Sequence, residues 1–440
     1  MKQIFSVVLI LSSLPIFAQK KWTLIECVNH AKENNLTIQQ SRINESFYAN
    51  DLESAENQWL PSVSGYLDNS LSIGTNHPAI DKGYQQFSNS FGINSAITIY
   101  NGGLIHFNKE KAVLGVESGK LQTETVTNDI SLLVVNYYLN VMLNRELLQI
   151  AEGNLALTEQ QLERVQILFR EGAIARADVV QSEANVAQER KNVADAAIEV
   201  ERALFNLAIL LQLPDYRDFD VEHIAIPDGL TLGLYDLDEI LQTAYREQPA
   251  VKKAEVDLEA SEMDIEIAKT GLKPTVTGTY NLGTSYAEYF NKGLVTDAWL
   301  SQWHDNITNV FGLSVQIPIF EKFNNKLNIE RAKINQTLNQ NLLDLEKQNI
   351  RENVQEAYFN VHSSYQAYEA AKESVRSNEL SADFAQRSFD GGILNIYDLN
   401  TARNNLVIAQ SQMVQAKYNF IFRLKVLDFY AGIPLTEGLE

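Results

Sequence analysis

Two aspartates at matching places in the chain are the first candidates for chemistry. Asp178 follows Gly172 by six residues, and Asp398 follows Gly392 by the same distance. An aspartate just after a helix end can cap the start of the next helix. Acidic side chains along a passage favour cations, and the formal net charge of -20 is compatible with such a passage or with solubility alone.

Other residue types that carry out catalysis lack the spacing they need. The sequence contains no nucleophile elbow, phosphate loop, dinucleotide fingerprint or zinc motif. We therefore expect no enzyme, no cofactor and no bound metal. The net negative charge argues against nucleic acid as a partner, because phosphate binding requires clustered lysine and arginine. The six histidines are scattered, and we expect them to be solvated or interfacial: His30, His77, His106, His223, His304 and His362.

The single cysteine, Cys27, excludes an intrachain disulfide. It could carry a lipid anchor, but Glu26 stands where such signals require a small residue. A residue on a helix face is the alternative that we favour, because Leu24, Cys27, Val28 and Ala31 have amphipathic spacing.

The start of the chain, residues 1–18, is typical of a secretory signal peptide. Lys2 gives a positive start, residues 4–17 are apolar, and Ala18 precedes a possible cleavage site. The apolar run is short for a membrane-spanning helix. The alternative is a buried helix of the mature fold.

The elements that hold the two aspartates are predicted to be very long helices. No proline lies in residues 79–213 or 319–433, so both windows lack the residue that breaks helix interiors. Both are rich in good helix formers and carry apolar residues at helical spacing. One glycine-containing interruption divides each window, which predicts a long helix, a tight tip and a returning helix. We place these hairpins at 104–213 and 324–432.

The first arm of such a hairpin would be on the order of 100 Å long at 1.5 Å per residue. An arm of this length cannot bury its apolar stripe alone and needs coiled-coil neighbours. A further helix is expected ahead of each strand region, over 23–58 and over 237–272.

Alternating residues predict two strands in each of the ranges 62–100 and 274–320. Each run has about ten residues, which is about what a tilted strand needs to cross a bilayer. An ordinary antiparallel sheet with one wet face has the same pattern. Because a bilayer tolerates no open sheet edge, four strands must lie on a soluble surface or be completed by other chains.

The whole arrangement occurs twice, with a linker at 214–235 and a short C-terminal tail. We assign the first repeat to 19–235 and the second to 236–440, and the second carries about seven extra residues between its strands. The landmarks of the first repeat are Pro61, Gly65, Phe91, Gly92, Phe169, Gly172, Asp178 and Pro214. Those of the second are Pro274, Gly278, Phe311, Gly312, Phe389, Gly392, Asp398 and Pro434.

From about Trp22 to Pro434 the chain resembles the TolC-like outer-membrane efflux proteins. The resemblance rests on the tandem repeat, a strand hairpin in each repeat, the Phe-x-x-Gly tips and the aspartates that follow them. It implies a mainly α fold that forms a homotrimer, with a 12-stranded β-barrel in the outer membrane of a Gram-negative bacterium. An α-helical barrel continues it across the periplasm.

The function that the resemblance implies is passive export in a tripartite efflux or type I secretion system. A periplasmic adaptor and an inner-membrane transporter would be the protein partners, and outer-membrane lipid would surround the barrel. The main alternative is a soluble periplasmic coiled-coil scaffold or adaptor.

The family narrows its periplasmic mouth with acidic residues near the second tip. Asp398 occupies the first matching position and Asp178 the partner position in the first repeat. The next acidic position is Thr401, and a family arginine that helps to lock the closed state is replaced by Leu394. We hypothesise that Asp398 forms an acidic ring in the trimer; helix capping is the alternative for both aspartates.

The resemblance also implies that adaptors dock at the hairpin tips. The candidate residues are Gly172, Ala173, Ile174, Gly391, Gly392 and Ile393. The alternative is that the glycines only end helices, and both roles can hold together. In the longer strand loop, Trp299 and Trp303 could form an aromatic belt at the membrane edge or a hydrophobic loop cluster.

Overall fold

The structure is a computed structural model, which describes residues 21–75, 83–224, 233, 235–290 and 296–437. The expected signal peptide at 1–18 and His77 lie outside the described residues. So do two parts of the expected linker, 225–232 and 234, and the last three residues of the tail.

Eight of the helices form pairs of equal length, one member from each half of the chain. The pairs are α1 (Leu24–Asn34) with α5 (Leu237–Glu247), and α2 (Leu36–Asn57) with α6 (Pro249–Thr270). The long hairpins pair α3 (Leu104–Arg170) with α8 (Asn324–Asp390), at 67 residues each, and α4 (Arg176–Leu210) with α9 (Ile396–Tyr430), at 35 residues each. A short helix, α7 (Trp299–Asp305), has no counterpart among the described residues.

The expectation of one continuous helix over 23–58, and of another over 237–272, is wrong. Asn35 has an extended backbone that ends α1, and its side chain accepts a hydrogen bond from the Thr37 N–H at 2.9 Å, which starts α2. Gln248 ends α5 in the same way. It precedes Pro249, and the proline ring disfavours helical backbone at the residue before it.

Four strands form one antiparallel sheet in the order β2 (Ser62–Gly74), β3 (Tyr84–Tyr100), β5 (Thr275–Tyr289) and β6 (Thr308–Gln316). Two short strands, β1 (Lys21–Trp22) and β4 (Asp220–Val221), pair in parallel elsewhere. The last strand ends before Ile317, so it is shorter than the expected range to 320.

The register of the four strands separates an apolar face from a polar face. Leu67, Phe91 and Thr284 lie side by side on one face, because they are paired across β2, β3 and β5. The other large apolar residues of that face include Val63, Ile93, Leu282, Phe311 and Leu313. The opposite face carries Ser64, Asn94 and Asn281, which are paired across β2, β3 and β5, and Ser314, which is paired with Thr277.

The chain divides into two compact units. One comprises Arg42–Gln122 and Ala250–Glu346 and contains the four-stranded sheet. The other comprises the described parts of Met1–Ser41, Thr123–Pro249 and Lys347–Glu440. None of the helices that the structure describes is both long and apolar enough to cross a membrane.

The second unit has a core in which α1, α3, α4 and α9 contribute buried residues. Tyr138 is fully buried there, and its hydroxyl donates a 2.7 Å hydrogen bond to the Glu222 carbonyl. Cys27 is 0% exposed in the same core, and burial raises the pKa of its thiol to about 12. A buried, protonated thiol fits the helix-face interpretation of Cys27 and does not fit a lipid anchor.

Candidate functional site

The two hairpin tips have the same backbone geometry. Gly172 and Gly392 have φ values of +75° and +72°, the left-handed region that favours glycine. At the first tip, Ala173 N–H donates to the Leu168 carbonyl at 2.9 Å. At the second, Ile393 N–H donates to the Ser388 carbonyl at 2.9 Å. Each tip is thus a Schellman motif, which satisfies carbonyl groups at the helix end.

The side chains at the two tips differ. Ile393 is 85% exposed, whereas Ala173 at the matching position presents only a methyl group. Ile174 is half-buried. Gly391 is not one of the glycines with a positive φ. A Cβ atom added at Gly391 would lie 3.5 Å or more from its nearest neighbours, which is ordinary van der Waals contact. The glycine at 391 is therefore not required by the turn.

Asp178 is part of the cap of α4, although it is not the N-cap residue itself. The N-cap is Ala175, and the Asp178 carboxylate accepts a hydrogen bond from the Ala175 N–H at 3.2 Å. This is one half of a capping box, because alanine has no side-chain oxygen to return the bond. The structure thus gives the Asp178 carboxylate a capping partner.

Asp398 occupies the matching position in α9 but has a different local partner. Here the N-cap is Asn395, whose side-chain oxygen accepts a hydrogen bond from the Asp398 N–H at 2.9 Å. The Asp398 carboxylate is exposed, and no partner for it occurs within the described parts of the chain. Sequence reasoning missed Asn395, although an asparagine three residues before an acidic residue is a helix-start signal.

Leu394 and Thr401, the two residues near the second tip that differ from the family pattern, both lie in the described part of the chain. Leu394 is half-buried directly after the second tip. The Thr401 hydroxyl donates to the Tyr397 carbonyl within α9 at 2.9 Å. Neither side chain adds a charge beside Asp398.

Sequence reasoning missed a polar cluster beside the second tip. Asp390 pairs with Arg164 of α3 at 2.6 Å and accepts a hydrogen bond from Gln386 at 2.8 Å. Gln386 in turn accepts a hydrogen bond from Arg403 of α9 at 2.6 Å. Burial lowers the pKa of the Arg403 guanidinium, and the Asp390 charge opposes that change. The cluster therefore joins an arm of the first hairpin to both arms of the second.

Within the described ranges, no group of three or more His, Cys, Asp or Glu side chains could hold a metal ion. His30 contacts Trp22 edge-on, with ring centroids 5.0 Å apart, and His106 lies 3.2 Å from Glu110 on the same helix. These histidines have local structural partners.

A long helical hairpin in each half of the chain, joined to strands with one apolar face, defines a class of envelope channel proteins. A family model for the outer membrane efflux protein matches residues 27–211 and 240–432. These ranges make up most of the chain, so it belongs to the outer membrane efflux protein family. The predicted family and the outer-membrane location are confirmed.

Individual relatives are distant. Nodulation protein T of Rhizobium leguminosarum bv. trifolii is 22% identical over 316 residues, which are 72% of this chain and 65% of that protein. The match thus spans less than two thirds of this relative's length. The structure of CusC has a TM-score of 0.77 and 18% identity, with 93% of this chain and 92% of that chain covered.

The CmeC outer membrane channel of Campylobacter jejuni has a TM-score of 0.76 and 18% identity. The similarity covers 94% of this chain and 87% of that one. At this level of identity, the two structures establish a shared, mostly helical fold.

Proposed function

We propose that three copies of this chain form one outer-membrane export channel. Twelve strands would close a β-barrel, and the long hairpins would continue it as an α-helical barrel through the periplasm. The channel would be a passive conduit of a tripartite efflux or type I secretion system and not an enzyme. The observation that carries the proposal is the open four-stranded sheet with one apolar and one polar face.

The sheet is well suited to closure by other copies. Its outer strands, β2 and β6, each pair with one neighbour among the described strands. Because all three pairings are antiparallel, β6 of one chain and β2 of the next would also meet antiparallel. Three copies then give twelve strands, above the smallest single-chain barrels of about eight. Closure would remove the open edges that a bilayer does not tolerate.

The apolar face of the sheet favours lipid as its surroundings. Phe311 and Leu313 are 82% and 70% exposed, and Leu67 is 65% exposed. A face with this much exposed apolar surface marks an interaction site. We infer that this face contacts lipid while the serine- and asparagine-rich face lines the pore. In the alternative, a soluble periplasmic scaffold or adaptor, this apolar face would be exposed to water with nothing to cover it.

The helices provide a second argument for several copies. Ile334, Leu338 and Leu345 of α8 are between 49% and 69% exposed. Their spacing of four and seven residues is that of a coiled-coil seam. We infer that helices of a neighbouring copy cover this stripe.

The two hairpin tips then form the periplasmic mouth. Three exposed Asp398 carboxylates would form an acidic ring that favours cations and narrows the mouth. The Asp178 carboxylate, which is half-buried and accepts the Ala175 N–H, would be less available to cations in the passage. The exposed tip residues, among them Gly172, Ala173, Gly391 and Ile393, would be the surface on which a periplasmic adaptor docks. The adaptor would connect the channel to an inner-membrane transporter.

The closure of the sheet can be tested with engineered cysteines, because Cys27 is buried and its thiol is protonated at neutral pH. One cysteine replaces Ser314 in β6, and a second is moved along residues 62–74 of β2. Within one chain these strands are at opposite edges of the sheet. We expect oxidation to give covalent species up to a trimer, with every second position effective.

The matched control moves the second cysteine along the central strand β3, where no intermolecular link is expected. The same cells are fractionated, and the uncrosslinked protein should be in the outer membrane and extract with detergent as a trimer. If the largest crosslinked species were a dimer, the result would contradict a channel made of three copies. Recovery in the soluble periplasmic fraction would contradict the channel itself.

A further inference from the structure

The short helix α7 takes the place of a strand at the edge of β5. The side-chain amide of Gln302 accepts a hydrogen bond from Ala287 N–H at 3.0 Å and donates to the Ala287 carbonyl at 3.1 Å. A neighbouring strand would make the same pair of bonds. The β6 strand begins at Thr308, opposite Gly283, so it does not reach this part of β5. The helix thus covers the end of β5 that β6 leaves unpaired.

The helix also reaches over the apolar face of the sheet. Trp303 packs on Phe91 with ring centroids 4.5 Å apart, and its carbonyl accepts a 2.6 Å hydrogen bond from the Thr284 hydroxyl. Phe91 and Thr284 are register partners on the apolar face. The Trp299 ring contacts the Trp303 ring at a tilt of 40°, with centroids 4.7 Å apart. Trp299 remains 49% exposed, and the next residue, Leu300, is 72% exposed.

The other flank of the helix is polar. The side chains of His304 and Asp305 are 85% and 66% exposed and lie 2.9 Å apart. The helix is therefore amphipathic across its short length. At about 100° per residue, Trp299, Leu300 and Trp303 share one side, Asp305 lies opposite them, and His304 lies next to Leu300 at the boundary. This is the composition of a helix that lies at a membrane surface.

The position of α7 along the strands agrees with such a surface. Strand β5 advances by ten residues from Val276 to Tyr286, and β3 runs beside it over this length. At about 3.4 Å per residue and a tilt of roughly 40°, this is about 26 Å, close to the ~25 Å apolar band of outer-membrane barrels. In the row formed by Tyr286 and its partners Asn89 and Asn69, polar side chains enter the apolar face, and Asn89 donates to Asn69 at 2.5 Å. Glu288 follows in the next row of β5, while β2 stays apolar at Leu71 and Ile73. The tryptophans of α7 stand beside this boundary.

We propose that α7 is an interfacial anchor that binds the lipid headgroup region at the loop end of the sheet. Trp299 and Leu300 enter the lipid, while His304 and Asp305 stay in the aqueous phase. Tryptophan suits this depth, since its ring is apolar and its N–H can bond to headgroups or water. The proposal rests on the proposed channel, because it takes the apolar face of the sheet to be in lipid. The seven residues of α7 would thereby hold the sheet at a fixed depth in the bilayer.

The four tryptophans of the chain, Trp22, Trp59, Trp299 and Trp303, allow a direct test. A variant in which phenylalanine replaces all except Trp299 is reconstituted in phosphatidylcholine vesicles. The lipids carry bromine either near the headgroup or near the end of the acyl chain. We expect Trp299 fluorescence to be quenched by the shallow bromine more than by the deep bromine. Gln302→Ala, which removes both bonds to Ala287, should weaken this quenching.

Two matched variants distinguish a failure of the proposed anchor from a failure of the proposed channel. Phe311→Trp in a chain without other tryptophans reports on the middle of the apolar face and should be quenched by the deep bromine. A variant that keeps only Trp22, in the other compact unit, should be quenched by neither. Quenching of Phe311→Trp without quenching of Trp299 overturns the anchor alone. Absence of quenching in both overturns the anchor together with the proposed channel.

Discussion

The carboxylates of Asp178 and Asp398 occupy matching helix positions but have different partners. Asp178 accepts the Ala175 N–H, whereas the cap of α9 uses the Asn395 side chain and leaves the Asp398 carboxylate exposed. The difference arises from one residue of the repeat, an alanine in the first copy and an asparagine in the second. Only the second copy therefore presents a carboxylate that is not used in a cap.

Asp398→Asn is expected to lower the cation preference of the channel and to change its single-channel conductance, because it removes the charge of the proposed ring. Asp178→Asn is the matched control. Because the asparagine oxygen can still accept the Ala175 N–H, this variant should change the stability of the fold by less than about 0.5 kcal/mol, with a smaller effect on selectivity than Asp398→Asn. Conductance and reversal potentials in a salt gradient measure both. Identical selectivity in Asp398→Asn and the unchanged protein would remove Asp398 from the aperture.

A second residue-scale feature lies on the polar face of the sheet. Tyr66, Gly92 and Gly283 are register partners, and a Cβ atom at either glycine would lie 2.7 Å from the Tyr66 hydroxyl. The Tyr66 ring therefore lies flat across two glycines. Gly65 on the opposite face is not crowded, since an added Cβ would have its nearest contact at 3.7 Å.

Gly283→Ala is expected to displace the Tyr66 ring from the wall into the pore and to lower single-channel conductance. The displacement costs little in folding, because the crowded atom is the far end of a side chain. The double variant Gly283→Ala with Tyr66→Ala should restore conductance, and Gly65→Ala should leave it unchanged. A fall in conductance that Tyr66→Ala does not reverse would argue against this geometry.

At the scale of elements, the cluster of Arg164, Gln386, Asp390 and Arg403 is the described contact that joins the first hairpin to the tip of the second. The ion pair between Arg164 and Asp390 is partly exposed, so it contributes at most about 1 kcal/mol to stability. Because the pair lies beside the proposed mouth, we expect it to affect the relative freedom of the two hairpins more than the stability of the fold.

Asp390→Asn is expected to loosen this connection and to raise the conductance or the open time of the channel, with a stability loss below about 1 kcal/mol. Asp383→Asn is the matched control. Asp383 pairs with Arg387 at 2.6 Å within α8, so it makes no connection between hairpins. Single-channel recordings of both variants measure the effect. Equal opening in the two variants would mean that loss of any carboxylate near the tip is sufficient.

The elements that could be predicted from the sequence are those with local physical causes. The tips follow from Gly172 and Gly392, because a positive φ after a long helix favours glycine. The two faces of the sheet follow from strict alternation. The Arg164–Asp390 pair could not be predicted, because its partners are more than 200 residues apart and meet only through the packing of α3 on α8.

Three further features of the fold escaped prediction for related reasons. The break at Asn35 depends on one side-chain bond to Thr37, and α7 lies in a stretch too short for periodicity. The turn before α8 has positive φ at Lys322 and Phe323, 51° and 64°, and no glycine. In the first copy, Gly102 and Gly103 form the matching turn. Glycine, the usual sequence signal for such a turn, is therefore present in the first copy and absent from the turn of the second.

At the scale of the whole molecule, the exposed apolar residues of α8 connect the single chain to its assembly. Leu338 is 54% exposed, and it lies between Ile334 and Leu345 in the stripe that we assign to a neighbouring copy. A leucine that becomes buried on assembly stabilises it by about 1.5–3 kcal/mol. Three copies would bury three such residues, so the assembly should be far more sensitive to this position than the folded chain.

Leu338→Glu is expected to convert the detergent-extracted trimer into monomers that keep their helical circular dichroism, because the side chain is already exposed in the single chain. Thr337→Glu adds the same charge about 100° around the helix, away from the stripe, and should leave the trimer intact. Native mass spectrometry and gels without heating give the oligomeric state. A trimer of normal stability in Leu338→Glu would show that the neighbouring copy does not cover this stripe. Loss of the trimer in both variants would show that an added charge on α8 disrupts the trimer wherever it lies. The result would then contradict a contact specific to the stripe.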